Sequence, residues 1–361
     1  MARLTRMETQ QRNRARVIAA ARDEFAERGY RDAKIDVIAE RAELTRGAVY
    51  SNFPGKRALY FAVLAADAEH RPPPPHAQPG STPRDALGSL ARAWLARLPL
   101  DDQDGAARLG TDLMPEIAAD ERLRTPFTQL MRLDALLLAL ALETLCPPDS
   151  VPGAPPPRLV RTAETVLTTL HGARQLAAAA PGFAEPFDVI SACEQLAGLR
   201  LNDWWSPPQS LPPVQPVDRP WSPPPSHDLV RGEPARLDSD GDGVVAILGL
   251  HRLGAVEEAV RAGADVTAVL VTGEPAELAP LARLVVAELA GCLREAFPPS
   301  AWPRLRVVCD DSVAAAAGVA SVSDETEVAV RIENGRIVAR SEGPAATAAV
   351  SDSTAAPARP A

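Results

Sequence analysis

"IDVIAERAELTRGAVYSNFPGKRALYFAVL" (residues 35–64) decides how the first part of this chain folds. Ile35, Ile38, Ala39 and Ala42 share one face of a short helix over about 35–42. A tight turn at Glu43-Leu44 follows. Thr45 then suits the N-cap of a second short helix, 46–52, which buries Val49 and Phe53. Pro54-Gly55 breaks that helix, and another begins near Lys56, turning Leu59, Val63 and Ala66 inward. Upstream, Val17, Ile18, Ala21 and Phe25 recur at three- and four-residue spacing over 12–29, where Gly29 is a natural stop. Within 44–56 stand two aromatic residues, two glycines, a proline and two cations, a mixture unsuited to a core helix.

Two short helices joined by a tight turn form a helix-turn-helix, whose second helix fits the major groove of double-stranded DNA. Gly47 and Ala48 let the backbone approach, and Arg46 can present its fork to a guanine edge. Thr45, Tyr50, Ser51 and Asn52 supply neutral donors, while Lys56 and the free N–H groups of the next helix make an anion site.

Residues 12–64, with "VIAAARDEFAERGY", "IAERA" and "AVYSNFPGK" in order, resemble the TetR/AcrR family of bacterial transcriptional regulators. The resemblance implies that Thr45, Arg46, Gly47, Tyr50 and Asn52 face DNA and that Lys56 anchors a phosphate. It also implies a homodimer paired through the last two body helices, a small-molecule effector held in the body, and a cytoplasmic, nucleoid-bound repressor. Two positions depart from the family pattern. Where a Thr or Ser usually opens the first helix of the motif, Ala33 and Lys34 stand, exchanging a cap for a cation that joins the DNA-facing set. Where the turn usually has Gly, it has Glu43, a residue that pays for a positive φ.

Charge agrees with a nucleic-acid-binding head. Net charge is −9 over 361 residues, yet residues 1–60 carry +5, so the remainder carries −14. Four cysteines, Cys146, Cys193, Cys292 and Cys309, are widely spaced without a CxxC, which fits a reducing compartment and excludes a zinc ribbon. The N-terminus lacks a signal-type apolar region, and the most apolar run, Leu133–Leu142, is short for a bilayer and holds Asp134; no membrane partner is expected.

At this length several domains are expected. They are a DNA-binding head (1–70), an all-helical ligand-binding and dimerisation body (82–203), a Pro-rich linker (204–235), a small α/β unit (236–345) and a disordered tail (346–361). The body stripe Leu87, Leu90, Ala91, Trp94 and Leu98 is helical, and Trp94, Met114, Phe127, Met131 and His171 are its pocket candidates. The linker, "WWSPPQSLPPVQPVDRPWSPPP", is too rich in Pro to sustain a helix or a sheet ladder, although its Trp204, Trp205 and Trp221 should dock on a surface. Beyond it, "GVVAILGL" (243–250), "VTAVLVTG" (266–273) and "RLRVVCDD" (304–311) read as strands between helices at 254–262 and 276–296. "EVAVRIENGRIVARSEG" (327–343) reads as a hairpin turning at Asn334-Gly335.

Most proteins that the head resembles stop near residue 200. The extra unit, with "CDDSVAAAAGV" and the terminal hairpin, looks like a thioredoxin- or peroxiredoxin-type fold. Its first strand leads into "GLHRLGA" (249–255) without a cysteine, and "ASVSDETEV" (320–328) lacks the proline that usually faces the thiols. The fold is therefore expected without the chemistry, with Cys292 and Cys309 as structural thiols, no catalytic residue, no cofactor and no metal. "DSDGDG" (238–243) begins like a calcium loop, but Gly249 occupies the position that needs a bidentate Glu. The function expected is a ligand-responsive, DNA-binding repressor with a non-catalytic sensing or interaction module. The alternative is a redox enzyme targeted to DNA. On this reading, removing the extra module leaves DNA binding intact.

Overall fold

The computed structural model describes residues 6–72, 78–98, 109–146, 158–199, 201, 205–237 and 242–352. The head comprises α1 (Arg6–Asp32), α2 (Ile35–Arg41), α3 (Arg46–Asn52) and α4 (Lys56–His70). Gly29 sits at φ 74° inside the α1 span, so the expected stop appears as a kink followed by one more turn. The body follows with α5 (Pro83–Leu95), α6 (Leu113–Ala119), α7 (Glu121–Leu145), α8 (Val160–Ala179) and α9 (Pro186–Leu196). By length and composition α7 could cross a membrane, yet 61% of its apolar window is buried inside the protein.

The remaining elements are β1 (Gln215–Pro220), β2 (Ser226–Asp228), β3 (Glu233–Ala235), β4 (Gly243–Gly249), α10 (Ala255–Arg261), β5 (Val266–Val271) and α11 (Leu278–Ala296). After a 3-10 turn come β6 (Arg306–Val308), α12 (Asp311–Ala316), β7 (Glu327–Glu333), β8 (Arg336–Glu342) and α13 (Ala346–Asp352). The main sheet has the order β1-β8-β7-β4-β5-β6. Strands β4, β5 and β6 are parallel, and β7, β8 and β1 join antiparallel. Buried on both faces, β4 and β5 need continuous apolar runs. Asn334 (φ 50°) and Gly335 (φ 70°) both take the left-handed conformation that a tight hairpin turn demands.

Two expectations are overturned. Residues 204–235 do form sheet: β1 pairs with β8, and β2 pairs with β3. Pro216 and Pro220 are tolerated because β1 lies at the sheet edge and its register slips between Pro216 and Arg219. Trp221 is buried, donating its indole N–H to the Leu237 carbonyl at 2.7 Å, and Trp205 lies under the Arg261 guanidinium, so both dock as expected. Trp204 lies outside the described residues, as do 238–241 of the calcium-like stretch. The second correction concerns 346–361. Its first part is the helix α13, whose Ala346 and Val350 pack on Val244 and Ala329 of the sheet. Small side chains let that helix lie close to the strands; residues 353–361 are outside the described set.

The body and the α/β unit share one apolar core. Leu281, Val285, Leu289 and Leu293 of α11 belong to the same buried cluster as Leu59, Phe61 and Val63 of α4 and Leu87 and Leu90 of α5. Helix α4 is buried at every position from Ala58 to Ala65 because α1 covers one side and α11 another. Ion pairs line this seam: Arg57 with Glu277 and Asp120, Arg283 with Glu69, Arg97 with Glu295, and Arg174 with Glu288.

A carboxylate pair sits where α10 meets β7. Burial, then the charge of Glu327, pushes the Glu258 carboxyl up to about 7, against the smaller opposing pull of Arg252. With the folded pKa above the unfolded one, the cost of Glu258 is absent while it is protonated. It grows as pH rises from the ordinary carboxyl range through about 7. Glu258→Gln is therefore expected to raise the melting temperature over the parent at pH 8 and to match it near pH 4.5. An equal gain at both values would detach the effect from this titration.

Candidate nucleic-acid interface

The turn between α2 and α3 is built locally. Thr45 (ψ 155°) accepts the Ala48 N–H on its hydroxyl at 3.2 Å, capping α3. Glu43 takes φ 50°, the conformation that a glycine would adopt without strain. Its carboxylate lies 2.6 Å from Arg16 of α1, so the charge beside α3 is paired. At the start of α2, Lys34 makes no side-chain cap, as its residue type implies, and its ammonium stays exposed.

Helix α3 divides its faces as the spacing predicts. Val49 and Phe53 are buried, while Thr45, Arg46, Gly47, Tyr50 and Ser51 are exposed on the outside. Arg46 stands beside the Asp36 carboxylate at 3.3 Å and over the Tyr50 ring at 5.6 Å, with its pKa raised by the Tyr50 hydroxyl and then by Asp36. The fork is pre-positioned on the outer face, yet a nucleic acid must compete with Asp36 for it.

Other expected contacts are already engaged. Ser51 and Asn52 both donate to the Ala48 carbonyl, at 2.9 and 2.8 Å. Lys56 donates to the Arg31 carbonyl at 2.9 Å and sits over the Tyr30 ring at 4.8 Å, and burial lowers its pKa. The ammonium thus braces α4 against the end of α1 and must leave that seat to reach a phosphate.

Several supporting residues escaped the sequence reading. Arg14 donates to the Asn52 carbonyl at 3.0 Å and stacks 4.2 Å from the Phe53 ring, clamping the end of α3 to α1. Glu24, fully buried, accepts the Lys34 N–H and pairs with Arg28 and Arg41, each at 3.4 Å. Asp112 of the body accepts the Tyr30 N–H at 3.1 Å, tying the kink of α1 to the start of α6. Neither Arg14 nor Asp112 had a local signal: Arg14 is 38 residues from the Asn52 carbonyl and Asp112 is 82 residues from Tyr30.

The body residues separate into two groups. Trp94 and His171 meet edge-on with ring centroids 4.9 Å apart, and the Arg174 guanidinium lies over the indole at 4.7 Å. Trp94 donates to the Leu170 carbonyl at 3.2 Å. Burial, then Arg174, lowers the His171 pKa to about 4, so the imidazole is neutral at physiological pH. Met114, Phe127 and Met131 are half-buried against the main core.

Residues 17–63 match the family model described as bacterial regulatory proteins, tetR family. The HTH-type transcriptional regulator SrpR of Pseudomonas putida is 47% identical over 66 residues, covering 18% of this chain and 30% of that protein. The uncharacterized HTH-type transcriptional regulator TtgW, also of Pseudomonas putida, is 47% identical over 66 residues, 18% of this chain and 48% of that protein. The alignments span less than half the length of either relative. Among solved structures, NalD, the secondary repressor of the MexAB-OprM multidrug efflux pump in Pseudomonas aeruginosa, is similar at 20% identity and a TM-score of 0.32, covering 54% of this chain and 99% of that one. A TetR regulator from Rhodococcus sp. RHA1 is similar at 17% identity and a TM-score of 0.34, covering 53% of this chain and 95% of that one.

Proposed function

The N-terminal head is a TetR-family helix-turn-helix domain, and from that premise we propose that the chain is a sequence-specific, ligand-responsive transcriptional repressor acting as a homodimer. The observation that carries this reading is the outer face of α3. It presents Arg46, Gly47 and Tyr50 on a basic head, where Lys34 at the start of α2 is also exposed, attached to an acidic remainder. In this reading Thr45, Ser51 and Asn52 add phosphate or base contacts, and Lys56 exchanges the Arg31 carbonyl for a phosphate. Dimerisation through α8 and α9 is supported by exposed apolar side chains there: Phe183 and Phe187 are 73% and 76% exposed, with Leu176 beside them in sequence at 40%.

The α/β unit is proposed as a non-catalytic, thioredoxin-like module. The parallel pair β4–β5, the antiparallel hairpin β7–β8 beside β4 and the closing helix α13 support that arrangement. The loop into α10 bears His251, hydrogen-bonded to Glu325 at 2.8 Å, in place of a cysteine. Burial pushes the Cys292 thiol up to about 11 and that of Cys309 up to about 12, the reverse of what a redox thiolate needs. Localisation in the bacterial cytoplasm follows from the same reading.

The test is fluorescence anisotropy of the full chain on DNA from upstream of its own gene, against a scrambled duplex, over a range of salt. Selective binding with two chains per site is expected. Arg46→Ala is expected to cost about 1–3 kcal/mol and to relax selectivity, as loss of a base-reading fork does. Tyr50→Ala should weaken binding with little change in the melting temperature, since its ring is 42% exposed. Parent-like binding by both variants would remove α3 from the interface.

A further inference from the structure

A cavity of about 380 Å³ opens at the seam between α4, the end of the α5 region and α11. Four guanidinium groups line it: Arg71, Arg97, Arg231 and Arg294. Its carboxylates already have partners. Glu69 is held by Arg283, Glu288 by Arg174 and Glu295 by Arg97. Arg71 pairs with Asp67 at 2.7 Å and Arg231 with Asp228 at 2.9 Å.

Arg294 is different. Its NH1 donates to the Leu229 and Val230 carbonyls at 3.4 and 2.8 Å, and among the described residues no carboxylate lies within ion-pair distance. The NH2 and Nε donors remain unspent. Burial, then the nearby Arg97, lowers the Arg294 pKa against the smaller opposing pull of Glu295 and Asp228. Two glycines keep room around the cations. A Cβ at Gly232, which holds φ 70°, would come within 3.3 Å of the Arg294 guanidinium, and one at Gly291 within 3.3 Å of that of Arg97. Trp302, its indole N–H fixed on the Phe297 carbonyl at 3.1 Å, adds an aromatic surface to the same wall.

We propose that this cavity binds a small organic anion, with a phosphate or carboxylate group on the free donors of Arg294 and an apolar or aromatic body against Trp302. An anion supplies the charge that the Arg294 end of the cluster lacks, through charge-assisted hydrogen bonds. The site is separate from Trp94, Met114, Phe127, Met131 and His171, none of which lines it. It takes its walls from both the body and the α/β unit, so occupancy is felt on both sides of the seam.

Isothermal titration of the full chain, without DNA, tests the site with phenyl phosphate as probe and inorganic phosphate and benzyl alcohol as controls. Because DNA is absent, failure of the DNA-binding reading leaves this result untouched. Saturable binding of phenyl phosphate is expected, with benzyl alcohol inert and inorganic phosphate weaker. Arg294→Gln should weaken phenyl phosphate roughly tenfold or more. Arg304→Gln, which removes the same charge from a side chain 89% exposed and outside the cavity, should bind like the parent. If Arg294→Gln melts early, Arg71→Gln, whose side chain is 36% exposed, gives the second reading with the same expected direction. No saturable heat, equal loss in the Arg304 and Arg294 variants, or benzyl alcohol binding as tightly as phenyl phosphate would each overturn the proposal. Inorganic phosphate binding as tightly as phenyl phosphate would overturn the role of Trp302.

Discussion

A fragment ending at residue 203 is expected to lose its cooperative fold, although it spans the whole head and body that the sequence marks off. Removing the rest strips α11 from the seam. The groove then exposed belongs to α4, α5 and α7, whose Leu59, Phe61, Leu87, Leu90 and Leu133 share one buried cluster with α11. Each large apolar side chain returned to water costs about 1.5–3 kcal/mol. Partial exposure of a few such residues therefore matches the roughly 5–15 kcal/mol that typically holds a domain together. The ion pairs Arg283–Glu69 and Arg174–Glu288 lose one partner each as well. Circular dichroism should show reduced helix and a broad, low melting transition, and DNA binding should fall with the fold. A fragment that melts cooperatively near the parent temperature would show the seam to be dispensable. The sequence alone suggests that removing the extra module spares DNA binding; the shared core argues the opposite, because the module supplies part of it.

The helix-turn-helix was legible because its determinants are local. The Thr45 cap, the Glu43 turn and the Val49/Phe53 stripe each act over about four residues or fewer, and each appears where spacing placed it. The hairpin at Asn334-Gly335 was legible for the same reason. What failed depends on distant partners. Strand β1 meets β8 across more than a hundred residues, and only the knowledge that it would be an edge makes its prolines acceptable. Helix α13 looked like a low-complexity tail because its small residues signal burial only once a sheet face is there to receive them. The seam left one local trace. "ALYFAVLA" (58–65) is apolar on every side of α4, more than a body of two or three neighbours would need. Reading only Leu59, Val63 and Ala66 as inward set that trace aside. At the interface the less legible residues are those with alternative partners: Lys56, Ser51 and Asn52 were assigned by chemistry, and without DNA the protein's own carbonyls take their donors.

Arg174→Met alone is expected to destabilise the protein by about 3 kcal/mol, near the lower end for a buried ion pair that loses one member. The pair is bidentate, with oxygens at 3.0 and 3.1 Å, and its side chains are 13% and 19% exposed. Burial by itself would push the Glu288 carboxyl up, but the Arg174 fork overrides it and holds the group below the usual range. His171 cannot replace the lost cation, since burial keeps it neutral above about pH 4. Glu288 would therefore be left in the seam without its partner, at the cost of either an unpaired charge or the uptake of a proton, and Trp94 would lose the cation over its face. Arg174→Met with Glu288→Met should recover most of the loss, because two apolar side chains replace two desolvated charges. Urea unfolding of the parent, both single variants and the double variant closes the cycle. A coupling of about 1–2 kcal/mol or more, by the usual scale for groups in contact, would fix the pair as the bond between α8 and α11. Additive losses would mean that α8, the helix through which two copies are proposed to meet, is not clamped to α11 by this charge pair, leaving apolar contact and the other seam ion pairs to join the body to the α/β unit.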